Sequence, residues 1–312
     1  IMLLLDWPKS KESEQKDWDA TLFALSDALS GTSEKAIVLA SMSDCMPKRI
    51  IEECLSLGIA PMVGLDVCLK ALNHSYKIGR AFSSNSSPDL EVLRNSSEHK
   101  SKQQLTEYQG KQLLKKYGVT IPMGCLVENV TEAIKAAEKI SFPVTLKVSG
   151  AKLAHKTELN GVRLNIQNVK TLKEACDDLF KISPELLIEK MIESPICELI
   201  IGMDYDPTFG KHIIVGGGGV YVELLQDSSV LILPVSREDI RLALSNLKVF
   251  KLLEGYRGGM KGDIEAVIDS VMSVIELIRT NAVEELDINP LLVLKGSDGV
   301  VAADTLIKLY SE

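Results

Sequence analysis

Glu285-Leu286-Asp287-Ile288-Asn289-Pro290-Leu291-Leu292-Val293-Leu294 is followed by Lys295-Gly296-Ser297-Asp298-Gly299, and then by Val300-Val301-Ala302-Ala303-Asp304-Thr305-Leu306-Ile307-Lys308. Two apolar runs around a Gly- and Asp-containing pentapeptide spell a β-hairpin, because those residues tolerate the backbone conformations of a tight reversal. Pairing the strands about the centre of that turn sets Asn289 nearly opposite Asp304. Both are polar residues inside otherwise apolar strands. An amide oxygen facing a carboxylate makes a hard-oxygen site suited to Mg²⁺, with phosphates and water completing the shell. An Asn–Asp hydrogen bond at a strand end satisfies the same spacing, which alone does not choose between the two.

Upstream of the hairpin, residues 105–117 trace a rough helical face through Leu105, Tyr108, Leu113, Leu114 and Tyr117, with Gly118 placed to end it. Thr131 reads as the N-cap of a helix over 132–140. Strands are expected at 143–148, 162–166, 186–191, 199–203, 212–215, 220–224 and 230–235, and helices at 237–253 and 264–280. This half mixes helices with mostly antiparallel strands. Lys147, near the end of an apolar strand and beside a loop with glycines at both ends, suits a phosphate; it also suits a solvated edge. The run Gly216–Gly219, with Gly217 and Gly218 at its centre, allows close approach of backbone to a ligand and offers N–H groups to an anion. A tight turn needs the same residues, and the run does not match the dinucleotide-binding GxGxxG in a strand–turn–helix setting. His155 stands between Lys152 and Lys156 in the loop after Lys147, a position that suits an imidazole accepting a phosphoryl group as well as an ordinary surface histidine.

The first 80 residues alternate strand signals (1–6, 35–41, 60–64) with helical ones (18–29, 47–57, 66–76), the pattern of a parallel sheet with packed helices. Pro47 suits a first helical position and Gly58 a helix end. Three strands make a small sheet, so this piece reads as part of a larger domain. A Ser-rich stretch at 83–104 separates the halves. The expected division is therefore 1–82, a linker at 83–104, and 105–312. Fold class follows: α/β in the first piece and α+β in the second.

A net charge of −8 argues against a nucleic-acid or anionic-membrane binder, which would need a basic field. No apolar run approaches the length of a membrane span, and Ile1–Leu5 lacks the basic residues of a signal peptide. The six cysteines include no CxxC or CxxH pair, so they read as small apolar residues of a reducing compartment, with a cytoplasmic location expected. A start at Ile1 reads as a fragment or a processed product.

Taken in order, several motifs carry a family resemblance. Leu105-Thr106-Glu107-Tyr108 with Lys111, Leu113-Leu114 and Tyr117-Gly118-Val119 resembles the first helix of the ATP-grasp domain in ADP-forming acyl-CoA synthetases. Pro143-Val144-Thr145-Leu146-Lys147 resembles its lysine-bearing strand, and His155-Lys156-Thr157-Glu158 with Gly161-Val162 resembles its phosphate-relay loop. Asp206-Pro207, Phe209-Gly210, the glycine run with Glu223, Gly255-Tyr256-Arg257-Gly258, Glu285 to Leu291 and Asp304 continue the match over about 210 residues. Residues 1–82, through Gly58-Ile59 to Ala71-Leu72, resemble the later part of the flavodoxin-like CoA-ligase domain that precedes ATP-grasp in fused members.

The resemblance implies ATP or ADP with Mg²⁺ as ligands and CoA as a substrate of the complete enzyme. It implies nucleotide contacts from Lys147, Glu189, Met191, Glu198, Gly217 and Gly218, metal ligation by Asn289 and Asp304, and phosphoryl transfer through His155. It also implies a CoA-binding domain or subunit as partner, because this chain lacks that Rossmann domain, and leaves a homo-oligomer open. Asn160, Gln109-Gly110 and Thr305-Leu306 depart from the family pattern. Two rival readings stand beside it. One is an ATP-grasp carboxylate–amine ligase, which would not need His155; the other is a non-catalytic nucleotide-sensing module of a fused protein acetyltransferase.

Overall fold

The structure, a computed structural model, describes residues 1–8, 12–83, 102–150, 160–219 and 227–310. The expected strand at 220–224 and the loop bearing His155 lie outside the described residues. The chain divides into two compact units, Ile1–Ser87 and Pro88–Glu312.

In the first unit, strands β1 (Met2–Leu4), β2 (Ile37–Ala40) and β3 (Ala60–Val63) form a parallel sheet in that order. Helices α1 (Glu12–Leu29), α2 (Lys48–Ser56) and α3 (Leu65–Ser83) alternate with them. Both α1 and α3 run beyond the stretches with clear apolar period. Pro47 is the extended N-cap of α2 and not its first helical residue. The core gathers Trp7, Leu22, Val38, Ile50 and Cys54, and the Trp7 indole N–H donates to Asp19 at 2.9 Å.

The second unit holds two antiparallel sheets. The four-stranded one has the order β5 (Gly124–Val127), β8 (Leu186–Lys190), β6 (Val144–Val148), β7 (Val162–Ile166). Helices α5 (Val130–Ile140) and α6 (Val169–Leu179) cover one of its faces with a core of Leu146, Leu172, Leu179, Ile188 and their neighbours. The seven-stranded sheet runs β11 (Ser228–Ile232), β10 (Gly210–Gly217), β9 (Cys197–Asp206), β12 (Val283–Val293), β14 (Thr305–Tyr310), β4 (Lys102–Gln104), with β13 (Val300–Ala302) also on β12. Its core face packs on α9 (Ile264–Thr280) and on α7 (Arg237–Ser245) and α8 (Phe250–Leu253), with Leu114 of α4 (Glu107–Lys116) joining the same cluster.

Several local expectations are corrected. The N-cap of α5 is Asn129, whose side chain accepts from the Glu132 N–H; Thr131 already lies inside the first turn. The single helix expected over 237–253 is two, because the Asp227 carboxylate takes the N–H groups of Lys248 (2.6 Å) and Val249 (2.8 Å) and starts α8 afresh. Lys102–Gln104, inside the expected linker, form an edge strand on β14. The departures at Gln109 and Gly110 acquire a reason. Gln109 completes a capping box with Thr106, and a Cβ at Gly110 would sit 3.1 Å from the Thr305 methyl, so glycine lets α4 lie close on β14. No helix among the described residues is long and apolar enough to cross a membrane, and the six cysteines are free thiols.

Candidate nucleotide site between two sheets

Strand alternation decides which side chains face the space between the sheets. In β6, Val144, Leu146 and Val148 enter the helix-covered core, so Thr145 and Lys147 face the other way. In β8, Leu186 and Ile188 do the same and Glu189 joins Lys147. In β9, Cys197, Leu199, Ile201 and Met203 are core, which turns Glu198 outward. Along β12 the parity switches: Leu286 and Ile288 are core, then Leu291 and Val293. The β9 pairing shifts register between Ile288 and Leu291, where Pro290 has no N–H to give a ladder. After the shift, Pro290 and Leu292 share a face with Glu198.

These faces enclose a cavity of about 280 Å³. Lys147, Glu189, Met191, Glu198 and Asp304 line it, together with Thr145, Val162, Leu164, Lys190, Ile192, Pro290, Leu292 and Ala303. The structure thus brings five of the sequence-selected residues to one space. Gly217 and Gly218 are not among the lining residues. Their N–H groups are committed to the carbonyls of Asp227 (2.9 Å) and Glu198 (2.7 Å). A Cβ at Gly218 would fall 2.9 Å from the backbone of Glu198 and Leu199, so the run serves close packing against the Glu198 strand. Asn289 is exposed, outside the lining set, and opposite Asp304 as the hairpin register requires; its N–H donates to the Asp304 carbonyl at 3.3 Å. Thr305 N–H donates to the Asp304 carboxylate at 2.8 Å.

At the back of the cavity is a cluster of charges that sequence reasoning did not anticipate. Lys147 Nζ donates to Glu107 Oε1 at 2.6 Å and to the Ala303 carbonyl at 2.7 Å, with Glu189 Oε2 at 3.3 Å. Lys111 Nζ donates to Glu189 Oε1 at 2.6 Å and Oε2 at 2.7 Å and to the same Ala303 carbonyl at 2.7 Å, with Glu107 Oε1 at 2.8 Å. The four side chains are 1–7% exposed. Burial pulls the Lys147 ammonium down, but Glu107, Glu189 and Asp304 together overcome it and hold the group above the usual lysine range. Burial, and then the Lys147 cation, hold Lys111 below that range. Glu107 and Lys111 stood in the sequence only as part of the helix motif that carries the family resemblance and at a spacing that puts them on one face of α4, neither of which indicates burial against Lys147 and Glu189.

Asp287 also escaped selection. Burial, then Asp304, then Glu285, push its carboxyl up to about 6. A carboxylate held up by a neighbouring carboxylate is relieved by a cation. Asp287 and Asn289 on β12, and Asp304 in the connection between β13 and β14, are two carboxylates and an amide, hard oxygen donors of the kind Mg²⁺ takes.

A sequence model for the ATP-grasp domain matches residues 96–309. The beta subunit of ADP-forming acetate–CoA ligase II from Pyrococcus furiosus is 34% identical over 215 residues, 66% of this chain and 91% of that subunit. ADP-forming acetate–CoA ligase II from Archaeoglobus fulgidus is 37% identical over 205 residues, 65% of this chain and 30% of the longer protein. Among solved structures, acetyl-coenzyme A synthetase 1 of Ca. Korarchaeum cryptofilum aligns with a TM-score of 0.59 and 30% identity, covering 66% of this chain and 93% of that one. That protein was solved with coenzyme A and Mg-AMPPCP, its phosphohistidine segment pointing towards the nucleotide-binding site.

Proposed function

The chain belongs to the ATP-grasp family and, within it, to the ADP-forming acyl-CoA ligases, and from that premise we propose that it is the nucleotide-binding, phosphoryl-transferring part of such an enzyme. The observation that carries the reading is the cavity of about 280 Å³ between the two sheets, where Lys147, Glu198 and Asp304 meet the apolar side chains of Val162, Leu164, Met191, Ile192 and Leu292. Val162, Leu164, Met191, Ile192 and Leu292 hold the purine, while the backbone around Glu189 and Met191 reads its edge. The Met191 N–H is already donated to the Pro143 carbonyl at 3.1 Å, so reading falls to the neighbouring backbone groups. Lys147 meets the phosphates by exchanging its longest contact, 3.3 Å to Glu189, for a phosphate oxygen. Gly217 and Gly218 support the site through the Glu198 strand.

Asn289 and Asp304, with Asp287, would hold Mg²⁺. When bound, the ion neutralises phosphate charge and aligns the transferred group. Phosphoryl transfer asks for positioning and charge neutralisation more than for covalent help. In the full reaction the bond from the γ-phosphorus to its bridging oxygen breaks, ADP leaves, and a phosphorus–nitrogen bond forms on His155. A carboxylate oxygen then takes the phosphoryl group, and the CoA thiol displaces phosphate to give the thioester. The CoA-binding part comes from a further domain or subunit, in a cytoplasmic enzyme.

Calorimetric titration with MgADP tests the site. Lys147→Met and Asp304→Ala should each weaken binding by about 10- to 150-fold, the worth of one charge-assisted contact, with the circular dichroism of a folded protein. Unchanged affinity in both rejects the assignment. For the relay, radiolabelled γ-phosphate from ATP should appear, acid-labile, on the peptide containing His155 and vanish in His155→Ala. Undiminished thioester synthesis by His155→Ala in the complete enzyme would reject the relay and favour direct attack of the carboxylate on ATP.

A further inference from the structure

Neither Glu107 nor Lys111 lines the cavity, yet both are buried against the residues that do. Lys111 is 1% exposed. It reaches three separate parts of the second unit at once: Glu107 one turn back on α4, Glu189 on β8, and the carbonyl of Ala303 between β13 and β14. Lys147, from β6, meets the same three acceptors. The Ala303 carbonyl therefore accepts from both ammonium groups, each at 2.7 Å, and the next residue is Asp304. Two cations on one carbonyl hold the peptide plane between Ala303 and Asp304 in a single orientation, since rotating it breaks both bonds together.

From this arrangement we infer that Lys111, oriented by Glu107, is a positioning residue: it locks the segment carrying the metal-binding Asp304 to the phosphate-binding Lys147 through the shared Ala303 carbonyl. The inference rests on the proposed nucleotide site. In the proposed site Lys147 trades its Glu189 contact for a phosphate oxygen while also holding the Ala303 carbonyl. When it turns one of its three donors to a phosphate, Lys111 keeps the Ala303 carbonyl bound and keeps Glu189 compensated. The cluster thus allows the lysine to engage a ligand without releasing the aspartate segment. Glu107 contributes by accepting from both lysines with one oxygen, which sets the spacing of their ammonium groups.

The test separates positioning from mere support of the fold. ADP affinity is measured by calorimetry in excess Mg²⁺ and in excess chelator, and the ratio of the two is the readout. A residue that only supports the fold weakens both affinities alike and leaves the ratio at its wild-type value. Lys111→Met, which keeps length and apolar stem but removes the donor, should lower the Mg²⁺ enhancement by about 10-fold, as expected when a metal carboxylate is misplaced. Should that variant not fold, Lys111→Met combined with Glu107→Gln removes one cation and one anion and is measured in its place, with the same expectation. A wild-type ratio in either folded variant overturns the inference. Wild-type protein and Asp304→Ala serve as references. If wild type binds ADP without any Mg²⁺ enhancement, the nucleotide-site reading fails and takes this inference with it. If wild type shows the enhancement, Asp304→Ala loses it and Lys111→Met keeps it, the positioning role alone is wrong.

Discussion

Arg237 and Arg241 meet Glu265 and Asp269 on the outer surface of α7 and α9, with side chains 44–64% exposed. Lys111 and Lys147 meet Glu107 and Glu189 between the two sheets, with side chains 1–7% exposed. Each cluster is two cations and two carboxylates. In the outer one, water and salt screen the charges, and the hydrogen bonds from Arg237 and Arg241 mainly order long side chains. In the inner one, every ion has left water, and the cost of that desolvation is offset only while each partner is in place. The same inventory is interchangeable decoration in one region and an all-or-none assembly in the other. Apolar residues of similar volume would stabilise the inner region as well or better. Its retention as charge is therefore better accounted for by what the cavity must do than by stability.

That contrast can be broken in two places. The largest effect is expected inside. Lys111→Met alone leaves two buried carboxylates facing one ammonium group and should lower the unfolding free energy by about 3–5 kcal/mol in denaturant titration. Adding Glu107→Gln restores neutrality and should recover most of the loss, a coupling that distant sites would not show. A loss below about 1 kcal/mol in the single variant would mean that the inner cluster behaves like the outer one. The smallest effect is expected outside. Arg237→Ala should leave the denaturation midpoint within error of wild type, and high salt should not widen the gap; a clear loss would show that exposure has not screened this cluster.

Most strands of the second unit and their antiparallel character were legible in the sequence because their signal is local; their division into two sheets was not. The hairpin turn at 295–299 set the Asn289–Asp304 register, and the apolar period of 264–280 gave the bounds of α9. What escaped reading depends on residues far apart in the chain. β4 carries Lys102-Gln103-Gln104, with no apolar alternation, and is a strand only because β14 offers it an edge about 200 residues later. Lys111 and Glu189 are 78 residues apart, and Lys147 and Glu107 are 40 apart. No spacing rule connects them until the sheets are stacked. Lys147 itself was legible as a phosphate candidate, but its burial and its ties to Glu107 and Ala303 were not. The glycine run was legible as a close approach of backbone to a ligand or as a tight turn, while its packing on the backbone of Glu198 and Leu199 was not.

A nucleotide bound between the sheets has its base among the side chains of β7 and the segment after β8. Photo-crosslinking with an azido-adenine diphosphate in the presence of Mg²⁺, followed by peptide mapping, tests this most directly. The account predicts label on Val162 or Leu164 of β7, or on Met191 or Ile192, suppressed by excess ADP and weakened in Asp304→Ala. Label confined to other segments, or label on these that excess ADP does not suppress, would contradict it.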